Sequence, residues 1–130
     1  MELTVSTWDG PVVRSDETDD PVAEDVQAAI GRLDGHACSE VSLSEEDPFA
    51  YITISGGPEL YLVTGETADE KILQLTEPGG GDEAISLVTG GQLASYARHD
   101  LVTKETATAV ALRFLEHGDY DPALPWDIQE

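Results

Sequence analysis

Residues 51–64 have the sequence YITISGGPELYLVT, and this stretch indicates the fold. Its two runs, Tyr51 to Ser55 and Leu60 to Thr64, are rich in the β-branched and aromatic residues that favour strands. The residues Gly56-Gly57-Pro58-Glu59 lie between the runs and predict a tight turn, because glycine and proline suit turn conformations. The stretch therefore predicts a β-hairpin.

Further strands are predicted on both sides of this hairpin. Residues 2–8 alternate, with Leu3, Val5 and Thr7 on one face, and Asp9-Gly10-Pro11 predicts the turn that ends this strand. Shorter strands are predicted at residues 41–43, 71–75, 84–88 and 92–97. Their regular spacing and the glycines between them indicate an antiparallel meander rather than crossover connections.

Two amphipathic helices are predicted, one on each side of the strand-rich middle. For the first, Asp20 is the expected N-cap, Pro21 suits the first turn and Asp34-Gly35 is the expected end. For the second, Thr103 is the expected N-cap and Gly118 the expected end. Their apolar stripes are Val22, Val26, Ala29, Ile30 and Leu33 in the first helix, and Ala107, Val110, Ala111, Phe114 and Leu115 in the second.

The order of these elements predicts the fold class. A helix, a meander and a second helix indicate an α+β domain, with an antiparallel β-meander sheet of about five to six strands and both helices packed on one face. The length of 130 residues suits a single domain over residues 1–130. Residues 121–128 are expected to form an extended tail braced by prolines.

The sequence also predicts a cytoplasmic protein. No run approaches the roughly 18 apolar residues of a membrane helix. The first residues lack the basic and apolar pattern of a signal peptide. The one cysteine, Cys38, leaves no internal disulfide and fits a reducing compartment.

Net charge is the strongest indication of function. The chain has 27 Asp and Glu residues against 6 Lys and Arg residues, a formal net charge of −21. Such a surface repels nucleic acid, because phosphate binding needs several basic side chains. It attracts a cationic protein and accelerates the encounter. The other interpretation is that the composition reflects genome base composition or a salty cytoplasm, in which the acids serve solubility.

Two acidic segments are candidate partner-binding regions, and the sequence does not choose between them. Each is predicted to be an exposed acidic loop. The first contains Asp16, Glu17, Asp19 and Asp20, and the second contains Glu45, Glu46 and Asp47. Neither has the spacing of a calcium-binding EF-hand loop, so no metal site is predicted.

No catalytic constellation is predicted from the residue types that could form one. Cys38 lies near His36 and Glu40, but an acidic neighbourhood keeps a thiol protonated, and no second cysteine completes a zinc site. The glycines at 79–81 lie among acidic residues that repel phosphate, so they are predicted to form a turn. We expect no enzyme activity and no cofactor.

Trp126 is a further candidate, with two interpretations. Its structural role would be to pack over the last helix and fix the tail, since chain ends are disordered unless something holds them. Its functional role would be to anchor a partner, because tryptophan is enriched at binding hot spots.

The carboxyl-terminal half carries a resemblance to a known family. The residues that carry it are Gly90-Gly91-Gln92-Leu93, Leu101-Val102-Thr103 before a helix, Ala111-Leu112-Arg113-Phe114-Leu115 with Gly118, and Leu124-Pro125-Trp126. Over residues 84–128 this pattern resembles the immunity proteins of bacterial polymorphic toxin systems, in particular the Imm-type family often encoded beside deaminase-fold toxins. The strands between residues 51 and 75 match more loosely.

The resemblance implies a function. It implies an immunity protein that binds a cognate toxin with a basic cleft, one to one as a monomer, and blocks the active site of that toxin. The implied toxin acts on nucleic acid, while the immunity protein itself binds neither nucleic acid nor membrane. The alternative is an acidic adaptor or secretion chaperone for a basic client protein.

Overall fold

The computed structural model describes residues 1–46, 49–89 and 91–129, and in them ten strands, two α-helices and one short 3₁₀ helix (Arg98–Asp100). The strands are β1 (Glu2–Asp9), β2 (Val12–Asp19), β3 (Cys38–Glu45), β4 (Ala50–Gly56), β5 (Leu60–Glu66), β6 (Ile72–Leu75), β7 (Ala84–Thr89), β8 (Gln92–Ala97), β9 (Val102–Thr103) and β10 (Trp126–Gln129). The helices are α1 (Ala23–Gly31) and α2 (Lys104–His117).

Eight of these strands form one antiparallel sheet. Its order is β10-β6-β5-β4-β3-β1-β2, and β9 pairs with β5 outside this path. The strands β7 and β8 form a separate two-stranded sheet. The predicted α+β class is confirmed. The strands β3 to β6 form part of the predicted meander, but its predicted continuation into β7 and β8 is wrong, because within the described residues these two pair only with each other. The expected number of five to six strands is wrong.

Two segments account for most of the difference in strand number. The acidic segment around Asp16 is not a loop, because it forms β2 and pairs with β1 across the turn at Gly10. The tail is extended, as predicted, and it also joins the sheet: Trp126 pairs with Leu75, which adds β10 as an edge strand. Acidic residues and prolines have low strand propensity, so both strands depend on the neighbour that each one pairs with.

The helices cover one face of the main sheet and bury its apolar side chains. Cross-strand register places Leu3 beside Leu43 and Val5 beside Val41, and Leu43 also pairs with Ile52. The same core contains the apolar stripes of both helices, namely Val26, Ala29 and Ile30 from α1 with Ala107, Val110, Ala111 and Phe114 from α2. Removal of this apolar surface from water is the main stabilising contribution.

Helix α2 begins and ends at the predicted residues. Thr103 is its N-cap, and the Thr103 hydroxyl accepts a hydrogen bond from the backbone N–H of Thr106 at 3.4 Å. Gly118 follows the last turn with a φ of 69°, the left-handed conformation that glycine adopts most easily.

Helix α1 begins later and ends earlier than predicted, since its last residue is Gly31 and not the residue before Asp34-Gly35. Asp20 has a φ of 51° and ends the β1–β2 pair, where its N–H donates to the carbonyl of Met1 at 3.0 Å. Val22 is the N-cap instead, and the Val22 N–H donates to Oδ2 of Asp25 at 2.9 Å. The predicted Asp20 cap is therefore wrong, because a carboxylate inside the first turn caps the helix.

The β7–β8 hairpin packs against one end of the main sheet. The N–H of Gly91 donates to Oγ of Ser39 at 3.0 Å, and the buried side chain of Leu87 lies against Gly56. A Cβ atom at Gly91 would overlap the indole ring of Trp8. The contact between hairpin and sheet therefore requires glycine at this position.

None of the helices that the structure describes is both long and apolar enough to cross a membrane.

Gly91→Ala is expected to destabilise the fold more than Gly10→Ala. Both glycines have positive φ angles, 82° and 62°, a conformation that costs other residues about 1–2 kcal/mol. A Cβ at Gly10 meets no atom within 4 Å, whereas the overlap with Trp8 should cost Gly91→Ala about 1–3 kcal/mol more. Urea denaturation compares the two free energies of unfolding, and equal losses would contradict the packing of the hairpin on Trp8.

Candidate functional site

The face of the main sheet opposite the helices is polar, and we call it the open face. Side chains alternate along a strand, so the residues between the core positions lie on this face. They form three rows across the sheet: Asp19, Glu2, Ser44, Tyr51, Glu66 and Ile72; then Glu17, Thr4, Ser42, Thr53, Thr64, Gln74 and Asp127; then Ser15, Ser6, Glu40, Ser55 and Leu62. The β7–β8 hairpin covers the end of the open face near Trp8.

The charge of the open face has one sign. Its three rows contain six carboxylates and no Lys, Arg or His: Glu2, Glu17, Asp19, Glu40, Glu66 and Asp127. Between them lie hydroxyl side chains, and Oγ of Ser42 is 3.2 Å from Oγ1 of Thr53. The summed field over such a surface attracts cations and repels phosphate.

The predicted partner-binding residues of the first acidic segment divide between the two faces of the sheet. Glu17 and Asp19 belong to the open face. Asp16 lies on the helix side. Its Oδ2 is 3.3 Å from Nη2 of Arg32, the residue that follows α1. Asp16 therefore has a cationic neighbour on the helix side, while Glu17 and Asp19 add their negative charges to the open face.

The structure brings the two acidic segments together. Asp19 and Asp20 line a cleft of about 360 Å³ with Glu45 and Glu46, and we call this the acidic cleft. The amino group of Met1 lies in it, 3.6 Å from Oε1 of Glu45 and 3.9 Å from Oδ1 of Asp20. The sequence did not choose between the two segments, and in the structure they form one continuous acidic surface.

Asp47, the last predicted residue of the second segment, lies outside the described residues.

Apolar side chains on and beside the open face were missed by the sequence analysis. Tyr51 and Ile72 belong to one row, and 52% of Ile72 is exposed. Phe49 is 55% exposed, and its ring centroid is 5.7 Å from that of Tyr51. The strand pattern contained the signal for Tyr51, because Ile52 faces the core and its neighbour must face outward.

Trp126 is held by its own chain. Its indole N–H donates to the carbonyl of Asp121 at 2.8 Å, and the ring of Tyr120 meets it edge-on at 5.4 Å. The side chain also packs against the hydrophobic core, and β10 fixes its backbone to β6. These contacts support the structural role, and the partner-binding role stays a prediction.

Cys38 is the buried first residue of β3, and it follows a loop shaped by Asp34. Burial raises the pKa of the Cys38 thiol by desolvation, which the nearby charge of Arg32 opposes and that of Asp34 reinforces. Oδ1 of Asp34 accepts hydrogen bonds from the backbone N–H groups of His36 and Cys38, at 2.8 and 3.1 Å. A thiol with a raised pKa is a weak nucleophile near neutral pH, because the thiolate is the reactive form.

The glycine-rich loop at residues 79–81 is fixed by neighbouring side chains. Nδ1 of His99 is 2.9 Å from the carbonyl oxygen of Gly81. Nη1 of Arg98 donates to Oε2 of Glu77 at 3.2 Å and to the carbonyl of Leu101 at 3.0 Å. These three contacts support the interpretation of this loop as a turn.

Within the described ranges, no group of three or more His, Cys, Asp or Glu side chains is arranged to hold a metal ion. Comparison of the sequence with protein-family models and with curated proteins gives no match. The function must therefore be argued from the open face and its surroundings.

Trp126→Ala is expected to lower the free energy of unfolding by about 2–4 kcal/mol, because it removes a large side chain packed on the core. Trp126→Phe keeps an aromatic ring and loses the hydrogen bond to Asp121, so its loss should be about 1 kcal/mol. Urea denaturation measures both values. Unaltered unfolding of Trp126→Ala together with weaker partner binding would instead support the anchor role.

Proposed function

We propose that this chain is a non-catalytic inhibitor, an immunity protein that binds a cognate bacterial toxin and occludes the toxin's active site. The observation that carries the proposal is the open face, whose three rows present six carboxylates and no basic side chain. A toxin that acts on nucleic acid, such as a deaminase, needs a basic cleft for phosphates. The open face complements such a cleft in charge.

The shape of the open face suits occlusion. Seven neighbouring strands at a spacing of about 4.8 Å give it a width of about 30 Å. The acidic cleft extends the negative surface beyond the strand ends at Asp19 and Glu45. A face of this width covers an active site without entering it, so inhibition needs no chemistry from the chain.

Charge alone does not give the affinity that protection requires. Nanomolar binding corresponds to about 12 kcal/mol, and long-range attraction acts mainly on the association rate. Apolar anchors in the interface supply the remaining free energy. Phe49, Tyr51 and Ile72 are placed for this role, because they are apolar or aromatic and border the carboxylates of the open face.

In this proposal the chain acts as a monomer in a one-to-one complex and uses no cofactor. Nucleic acid and anionic membranes are not partners, since the negative field repels phosphate.

Co-expression tests the proposed function directly. The toxin domain would be the carboxyl-terminal domain of the protein encoded immediately upstream of this chain. We expect growth rescue and purification of a one-to-one complex. Cell death despite soluble chain would overturn the proposal. A complex that forms without growth rescue would also overturn it, and would favour an acidic adaptor or secretion chaperone.

Neutralising the open face should slow association with the toxin domain. The variant Glu17→Gln, Glu40→Gln, Glu66→Gln is expected to reduce the association rate about 3- to 10-fold at low salt and to flatten its salt dependence. The control variant Glu59→Gln, Glu83→Gln, Glu105→Gln removes the same charge away from the three rows and should reduce the rate less. Stopped-flow fluorescence measures both rates, and equal reductions would place the interface elsewhere.

Truncating an apolar anchor should act on dissociation instead. Tyr51→Ala is expected to raise the dissociation rate of the complex about 10- to 100-fold with little change in association. Leu93→Ala is the control, because Leu93 is 72% exposed on the separate β7–β8 sheet. Surface plasmon resonance separates the two rates. A dissociation rate unchanged in Tyr51→Ala would remove this residue from the interface.

A further inference from the structure

Strand β2 leaves a long backbone edge of the main sheet without a partner strand in the described part of the chain. It is the last strand in the order β10-β6-β5-β4-β3-β1-β2, has eight residues and is exposed throughout. The opposite edge strand, β10, has four residues. An exposed strand edge is a template on which another extended chain can pair.

The register identifies the backbone groups on this edge. Paired residues of β1 and β2 have numbers that add to 21, and the N–H of Asp20 donates to the carbonyl of Met1 at 3.0 Å. Alternate pairs of an antiparallel ladder exchange hydrogen bonds, so the even-numbered residues of β2 bond to β1. The odd-numbered residues direct their N–H and C=O groups away from the sheet, and these are Val13, Ser15, Glu17 and Asp19.

The other side of β1 agrees with this assignment. The N–H of Trp8 donates to the carbonyl of Ala37 at 2.7 Å, next to β3. Even-numbered residues of β1 therefore face β3, and odd-numbered residues face β2. Since each odd residue of β1 pairs with an even residue of β2, both observations give the same outward groups.

We propose that the free edge of β2 binds an extended basic segment of a partner protein by adding it to the sheet as a further strand. The side chains of Asp16, Glu17 and Asp19 accompany this edge, with Arg14 as the basic residue of the strand. Acidic segments are repelled, while Lys or Arg at alternate positions of an added strand lies beside Glu17 and Asp19. A second copy of this chain is a poor occupant, because two molecules with a net charge of −21 repel each other.

This inference deepens the proposed function, on which it rests for the protein nature of the partner. The inference adds a binding mode, in which a basic segment is held at the border of the open face. The tests below separate the two claims.

A lysine-rich strand peptide tests the edge directly. The probe is the acetylated and amidated peptide KTKVKTKV, with ETEVETEV as the control for charge. Amide hydrogen exchange of the wild-type chain is measured by NMR. We expect the lysine peptide to slow exchange at Val13, Ser15, Glu17 and Asp19 at least about 5-fold, and ETEVETEV to have no effect. Binding that leaves these four amides unchanged would overturn the proposal.

One position of β2 separates backbone pairing from charge attraction. Ser15 has an outward N–H, so Ser15→Pro removes no hydrogen bond to β1 and proline is tolerated at such edge positions. We expect Ser15→Pro to weaken binding of the lysine peptide at least about 10-fold, and Ser15→Ala to stay within about twofold of wild type. Affinity of Ser15→Pro equal to that of Ser15→Ala would overturn the proposal.

Growth rescue and sedimentation show whether strand addition or the proposed function is wrong, if one of them is. Growth rescue by Ser15→Pro equal to that by the wild-type chain would overturn strand addition and leave the proposed function standing. Peptide protection of the four amides without growth rescue would support strand addition and overturn the toxin-directed function. Sedimentation of the chain alone is expected to show a monomer, and a dimer abolished by Ser15→Pro would make a second copy the occupant.

Discussion

Side chains along the strands alternate between two faces, and this two-residue repeat decides both where the core lies and where the charge lies. Leu3, Val41 and Ile54 point to one face because their strands pair in register, and both helices cover that face. The alternate residues then have no helix to pack against. Most of them are polar and remain in contact with water, and in a chain this rich in carboxylates the result is a negative surface. Fold and charge are thus two consequences of one pattern.

In the proposed function, this separation also divides stability from binding. Core positions such as Leu43 and Ile52 stabilise the fold by burial, whereas Glu17 or Glu40 contributes little, because charges at an exposed sheet surface are screened by solvent. The open face can therefore change with a partner while the core stays the same. The contacts of Trp126 support stability, since its indole hydrogen bond and its packing are both made within the chain.

The sequence predicts those parts of the fold that rest on local signals. The β4–β5 hairpin follows from its glycines and β-branched residues, and α2 from Thr103 and Gly118. Strand β2 could not be predicted in the same way, because its acidic residues show no apolar alternation and its pairing depends on β1. The prediction of where α1 begins was wrong for a related reason. Asp20 and Asp25 are both possible capping residues, and only the backbone conformation shows that Asp25 is the one that caps the helix.

The candidate site shows the same limit. Both acidic segments are visible in the sequence, but their meeting at the acidic cleft results from the folding of β3 alongside β1. Asp16 and Glu17 lie on opposite faces of the sheet because neighbouring residues of a strand alternate. This could not be predicted without knowing that the segment is a strand. Tyr51 was accessible to sequence reasoning, because the inward direction of Ile52 fixes the outward direction of its neighbour.

Carboxyl footprinting of the chain, free and bound to the toxin domain, locates the interface of the proposed complex. Carbodiimide and glycinamide label exposed carboxylates, and mass spectrometry reports the extent at each residue. We expect binding to protect Glu17, Glu40 and Glu66 on the open face and to leave Glu105 and Glu116 on α2 unchanged. Protection confined to α2, with full labelling of the open face, would contradict it.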